Sequence, residues 1–226
     1  ERVLSALADF QHSAQRLHTT VRGTLRIGTI LDPEFTRLGA FLRELVEGAP
    51  QVATELRQGM SGSVLEQVRA GDLDVGFYLG DAQTEAGGPF AARTLSRFHY
   101  RVVAPAGWGP QVLGRDWKAL AALPWVATPP QSAHHRLLAA VFQPRALEPR
   151  RVALVDQEAS MLDLIKSGVG LSLVRDSIAI RESQAHGLVI ADKVQLECAL
   201  QFVSLAARAQ EPVVASAWAA LGRAWP

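Results

Sequence analysis

The sequence is short of almost everything that commits a chain to a special chemistry. Its 226 residues include one cysteine, Cys198, so no internal disulfide can form and a reducing compartment suits it. That cysteine reads as a small, half-buried strand residue. Charge of one sign is lacking too: 23 basic residues against 22 acidic leave a net charge of +1. Such a balance gives no electrostatic footprint for nucleic acid within the chain. No run approaches the ~18 apolar residues that would span a membrane. The first 22 residues are charged and amphipathic, unlike an export signal. His12, His18, His99, His134, His135 and His186 are scattered, with neither an HExxH nor a pairing with cysteine. There is no GxSxG and no P-loop, and Gly168-Val169-Gly170 precedes a strand instead of following one. No catalytic residue, metal site or cofactor is therefore expected.

What is present is patterned hydrophobicity, at 48% of the chain. Thr24 to Thr29 alternates as a strand does. Asp32-Pro33-Glu34 then opens a helix, with Asp32 as cap and Pro33 in the first turn. Phe35, Leu38, Phe41, Leu42, Leu45 and Val46 form its apolar stripe, and Gly48 and Pro50 end it. Val52 to Arg57 is a second strand, Met60 to Gly71 a second helix, and Leu73 to Leu79 a third strand. Strand and helix alternate, which favours a parallel sheet covered by helices.

The same order recurs further on. Trp125–Ala127 reads as a strand, Ser132 caps a helix to about Phe142, and Val152–Val155 is a strand. Asp156 to Ser167 is then a helix and Leu171–Val174 a strand. Between the halves, Ala91–Leu95 and His99–Ala104 read as two strands broken at Ser96-Arg97. Asp116 opens a short helix. Ser177 to Ala185 is helical, and Leu188–Ile190 and Glu197–Arg208 are strands. Glu211-Pro212 opens a last helix with Val213, Ala217, Ala220 and Leu221 inward. Residues 1–20 carry Val3, Leu4, Leu7, Phe10, Ala14 and Leu17 on one helical seam. Two α/β lobes with extended connections near 97 and 200 imply a cleft, a favoured place for a small ligand. Helix N-termini at strand ends, around Asp32, Ser61 and Ser132, offer spare N–H donors.

Several stretches together resemble the effector-binding domain of LysR-type transcriptional regulators. They are Val21 to Thr29, Leu38-Gly39 with Phe41-Leu42, Gln58 to Leu65, Gly71 to Phe77, and Met161 to Val174. The resemblance implies an α/β fold of two Rossmann-like lobes joined by two crossover strands, similar to type 2 periplasmic binding proteins. It makes residues 1–22 the end of a linker helix, residues 23–97 with 208–226 one lobe, and residues 98–207 the other. It implies a small-molecule effector between the lobes, a cytoplasmic homodimer or homotetramer, and promoter DNA reached only through a winged helix-turn-helix absent from this chain.

Carried over position by position, the effector contacts fall on Asp32, Ser61 and Gly62 in the first lobe. In the second they fall on Thr128, Gln131, Ser132 and His134, and Phe202 on the returning strand lines the cleft wall. Asp32 departs from the family's usual small hydroxyl, so it would oppose an acid and welcome an amine. The expected ligand is a small carboxylate or an amino acid-like metabolite. His134 and His135 point to different faces of a helix, so at most one faces the cleft, and exposure is the ordinary expectation for each. The dimer contact would pair the helix Pro33 to Glu47 and its neighbouring strand with the helix Ser132 to Phe142 of a second copy. The alternative reading is an extracytoplasmic solute-binding protein of a transport system.

Overall fold

The computed structural model describes residues 21–30, 32–83 and 88–226. The seam expected over residues 1–20 and part of the polar loop after Gly80 lie outside the described residues. Strand pairing runs in the order β2-β1-β3-β8-β4-β7, with a separate pair β5-β6. The strands are β1 (Gly23–Thr29), β2 (Val52–Gln58), β3 (Val75–Leu79) and β4 (Phe90–Ala104), then β5 (Pro124–Ala127), β6 (Arg150–Leu154), β7 (Ser172–Arg175) and β8 (Val189–Leu205). The helices are α1 (Leu38–Gly48), α2 (Ser61–Ala70), α3 (Gly109–Val112) and α4 (Trp117–Ala121), then α5 (Ala133–Phe142), α6 (Glu158–Lys166), α7 (Asp176–His186) and α8 (Pro212–Ala224).

The described residues fall into two compact units. The first takes those up to Gly59, Val64–Leu95 and Gln201–Pro226; the second takes Met60–Ser63 and Ser96–Leu200. Strands β4 and β8 each give residues to both. Here the structure corrects the sequence reading twice. The two strands expected on either side of Ser96-Arg97 are one strand of 15 residues. The two expected at Leu188 and Glu197 are one strand of 17. Polar residues at those positions are compatible with a ladder, because a strand needs only backbone pairing there, and Arg97 meets Glu197 across it at 3.0 Å.

In the first unit β1 lies between β2 and β3, parallel to both. Leu25 and Ile27 are fully buried beneath it. Gly28 and Gly76 sit where α2 presses closest: a Cβ on either would meet the Val64 side chain at 2.4 or 2.5 Å. Phe41, Phe77, Phe202 and Trp218 stack edge to face, with ring centroids 5.0–5.4 Å apart around Phe202. Helix α8 packs on α1 and β1. Buried Asp74 accepts the backbone N–H of Arg26 at 2.8 Å and a guanidinium nitrogen from each of Arg26 and Arg208 at 2.9 Å.

The helix expected from Asp32 begins later, at Leu38. Asp32 does accept the Glu34 N–H, at 2.8 Å, but this caps a separate turn. Arg37, at φ 49°, interrupts it before the helix proper. Of the inward residues expected on α8, Ala217, Ala220 and Leu221 are buried, with Val214 taking the place of half-buried Val213.

In the second unit β7 runs antiparallel to β4 and β5 parallel to β6. Val103, Val126, Met161, Ile165 and Val174 form the core between them and helices α6 and α7. The caps follow the sequence: Asp116 accepts from the Ala119 N–H at 2.9 Å, and Ser132 from the His135 N–H at 3.0 Å. Cys198 is buried in β8. No described helix is long and apolar enough to cross a membrane.

Candidate functional site

Six of the eight residues singled out as effector contacts belong to the second unit. Ser61 and Gly62 come from the first turn of α2, and Thr128, Gln131, Ser132 and His134 from the turn after β5 and the start of α5. These two turns are joined directly. The Gly62 N–H donates to the Gln131 carbonyl at 2.8 Å. A Cβ at position 62 would lie 2.7 Å from that carbonyl oxygen, so the approach requires glycine. Arg136, in the first turn of α5, donates to the same carbonyl at 3.2 Å and to the Ser61 hydroxyl at 3.4 Å.

This geometry alters the expected role of the helix ends. The Gly62 N–H is spent on Gln131, and Ser132 covers the His135 N–H. The Thr128 and Ser132 hydroxyls bond one another. Two of the N–H groups expected to greet an anion are thus already occupied by protein oxygens. The positive charge at this place comes instead from the Arg136 guanidinium, a residue the sequence reading passed over. Its signal was available in the i, i+4 relation to Ser132, which puts both on one face of α5.

His134 is buried, at 8% exposure, against the expectation of a solvated side chain. Its ring stands edge-on to Tyr100 of β4, with centroids 4.5 Å apart. Burial, and after it the Arg175 guanidinium, push its pKa down to about 4, so it is neutral at pH 7. Arg175 is buried at the end of β7 and donates to Glu158 of α6 at 3.2 Å.

The other two candidates belong to the first unit. Asp32 is half-buried and holds the Glu34 N–H. Phe202 is wholly buried in the aromatic core between Phe41, Phe77 and Trp218. Its surroundings are those of a packing residue. Among the described residues no group of three or more histidine, cysteine or carboxylate side chains is placed to hold a metal ion.

The family model described as LysR substrate binding domain matches residues 18–226. No curated protein matches the sequence. Among solved structures, the effector-binding domain of QuiR in complex with shikimate is 14% identical, with a TM-score of 0.68 over 91% of this chain and 98% of that one. The regulatory domain of Synechocystis PCC6803 CcmR in complex with 2-PG is 14% identical, with a TM-score of 0.63 over 82% and 88%. Full-length CbnR complexed with its target DNA is 17% identical, with a TM-score of 0.61 over 99% and 78%. These likenesses agree with the order of strands and helices described above, which is that of a type 2 periplasmic-binding-protein-like fold. The chain belongs to the LysR substrate-binding domain family, the effector-binding part of LysR-type transcriptional regulators.

Proposed function

We propose that this chain is the ligand-sensing domain of a transcriptional regulator and binds a small carboxylate or amino acid-like metabolite. The observation that carries the reading is the joining, within one unit, of the Ser61-Gly62 turn to the turn Thr128 to His134, through the Gly62 N–H and the Arg136 guanidinium that both donate to the Gln131 carbonyl, with Arg136 also reaching the Ser61 hydroxyl. A cation beside a hydroxyl is a suitable environment for a small acid. Support also comes from two structural neighbours that hold small molecules, shikimate and 2-PG.

The effector acts by favouring one arrangement of the regulator over another, through its different affinity for the two. That preference is relayed to a winged helix-turn-helix outside this chain, and so to promoter DNA. Within this proposal the regulator works in the cytoplasm as a homodimer or homotetramer. Helix α1 and strand β2 meet α5 of a second copy, a contact supported by the exposed side chains of Val46 and Leu56. The solute-binding alternative has less support, because the matching family model is the LysR one.

A thermal-shift screen against small aliphatic acids, aromatic acids and amino acids tests the reading, since a ligand that binds only the native state raises its stability. Ser61→Ala and Thr128→Trp should each reduce the shift given by a hit while leaving the free domain folded. An undiminished shift in both variants would count against this site.

A further inference from the structure

A row of buried rings connects β4 to the first turn of α5. Phe98 and Tyr100 stand two residues apart on β4, so their side chains share one face of the strand. Their ring centroids are 5.1 Å apart, edge to face. The His134 ring meets Tyr100 at 4.5 Å, again edge to face. All three residues are buried, Tyr100 completely, and all belong to the second unit.

Hydrogen bonds do not account for this packing. The Tyr100 hydroxyl and the His134 Nδ1 are buried without a hydrogen-bond partner. Buried polar atoms usually find one. Where they do not, other contacts must hold the side chain. Here those contacts are ring edges on ring faces, a geometry that stabilises beyond the area it buries. Burial first, and then the Arg175 guanidinium, keep the imidazole neutral, as suits a ring packed on an aromatic neighbour.

The groups just before His134 are those assigned to the effector. Ser132 accepts the His135 N–H at 3.0 Å and bonds the Thr128 hydroxyl. The Gln131 carbonyl accepts the Gly62 N–H at 2.8 Å. A binding constellation keeps its geometry only where packed neighbours lock the element that carries it. For the first turn of α5, His134 is the side chain that reaches into the core.

We infer that Tyr100 is a positioning residue for the effector site: its ring, acting through His134, fixes the first turn of α5 and with it Thr128, Gln131 and Ser132. The hydroxyl has no part in this. The inference rests on the reading of that turn as effector-binding, and it adds a residue which that reading does not contain.

The test compares variants of the whole chain by amide hydrogen exchange. Tyr100→Phe keeps the ring and removes the unpaired hydroxyl. Tyr100→Leu removes the ring, and His134→Leu breaks the same contact from its other side. Ile165→Ala, in the core that contains Val126, controls for lost stability alone. The reporters are the Gly62 and His135 N–H groups, whose acceptors are Gln131 and Ser132. The Val126 N–H, which donates to Leu171 at 2.9 Å, is the reference. Tyr100→Phe should match the wild type at all three, with a melting temperature that holds or rises. Tyr100→Leu and His134→Leu should each speed exchange at Gly62 and His135 about tenfold or more relative to Val126. Ile165→Ala should speed Val126 at least as much as the two reporters.

Equal acceleration at all three amides in both leucine variants would make the rings part of the general core and overturn the inference. So would unchanged exchange at Gly62 and His135, or a Tyr100→Phe variant as loosened as Tyr100→Leu. Calorimetry with acetate and benzoate is the second arm. Whichever acid binds the wild type should bind Tyr100→Phe alike and Tyr100→Leu about tenfold more weakly. Undiminished affinity in Tyr100→Leu also overturns the inference. Binding that survives both Ser61→Ala and Thr128→Trp, or no binding of either acid, sinks the reading of the site beneath it. The exchange arm needs no ligand and still decides whether the rings hold the turn.

Discussion

Acidification should destabilise this domain through His134 before most of its carboxylates titrate. The folded protein holds the imidazole at about 4 against an ordinary 6.5, because burial and then Arg175 disfavour the imidazolium. As pH falls, the unfolded chain takes up the proton first. Stability is therefore complete above about pH 6.5 and drains away down to about pH 4, where the folded state protonates as well. The size follows from the fall from 6.5 to about 4, which corresponds to about 3 kcal/mol. That is a large share of the ~5–15 kcal/mol by which domains are stable. Urea unfolding at several values between about pH 7.5 and pH 4 would measure it. His134→Phe is the control, since it keeps an aromatic ring against Tyr100 and removes the titration. The wild type should lose about 3 kcal/mol more than the variant over this range. Parallel curves would refute the argument, and so would a His134 resonance titrating near 6.5.

Other perturbations separate the core from the site. Asp74→Asn leaves the Arg26 and Arg208 guanidinium groups without their shared carboxylate. It should destabilise the first unit by about 2 kcal/mol, discounted for the partial exposure of both arginines. Burial alone would raise the Asp74 pKa, but the hydrogen bonds from Arg26 and then Arg208 bring it below the ordinary value. Its contribution is accordingly present above about pH 4 and lost as pH falls through the lowered value, a second and later step in acid unfolding. Phe202→Ala empties the centre of the aromatic cluster and should cost about 3–5 kcal/mol by chemical denaturation. If Phe202 instead lines a ligand wall, the loss will appear in affinity with little change in stability.

Local chemistry in the sequence forecast much of this structure and misled at identifiable places. Ser132 and Asp116 both cap the helices they precede, because a cap needs only its own side chain and the next three residues. Asp32 does bond the Glu34 N–H, yet that cannot reveal that Arg37 adopts φ 49° and delays the helix to Leu38. The sequence reads β4 as broken at Ser96-Arg97 and β8 as two strands, Leu188–Ile190 and Glu197–Arg208. Pairing between distant segments overrides such local hints.

The site shows the same division. Ser61, Gly62, Thr128 and Ser132 stood out through position at helix starts. Tyr100, Glu158 and Arg175 did not, because their grouping depends on the antiparallel register of β4 on β7 and on the seat of α6. No periodicity within either strand encodes that pairing. The burial of His134 was missed for a related reason: its partner, Tyr100, lies 34 positions away in the chain.

The most direct test of the central claim is a residue-resolved NMR titration of the isotope-labelled chain with a ligand from the thermal-shift screen. The account expects saturable shifts concentrated at the amides of Ser61 to Ser63 and Thr128 to Arg136, accompanied by the Tyr100 and His134 rings. Saturable binding that leaves those groups unmoved and shifts another part of the chain would contradict it.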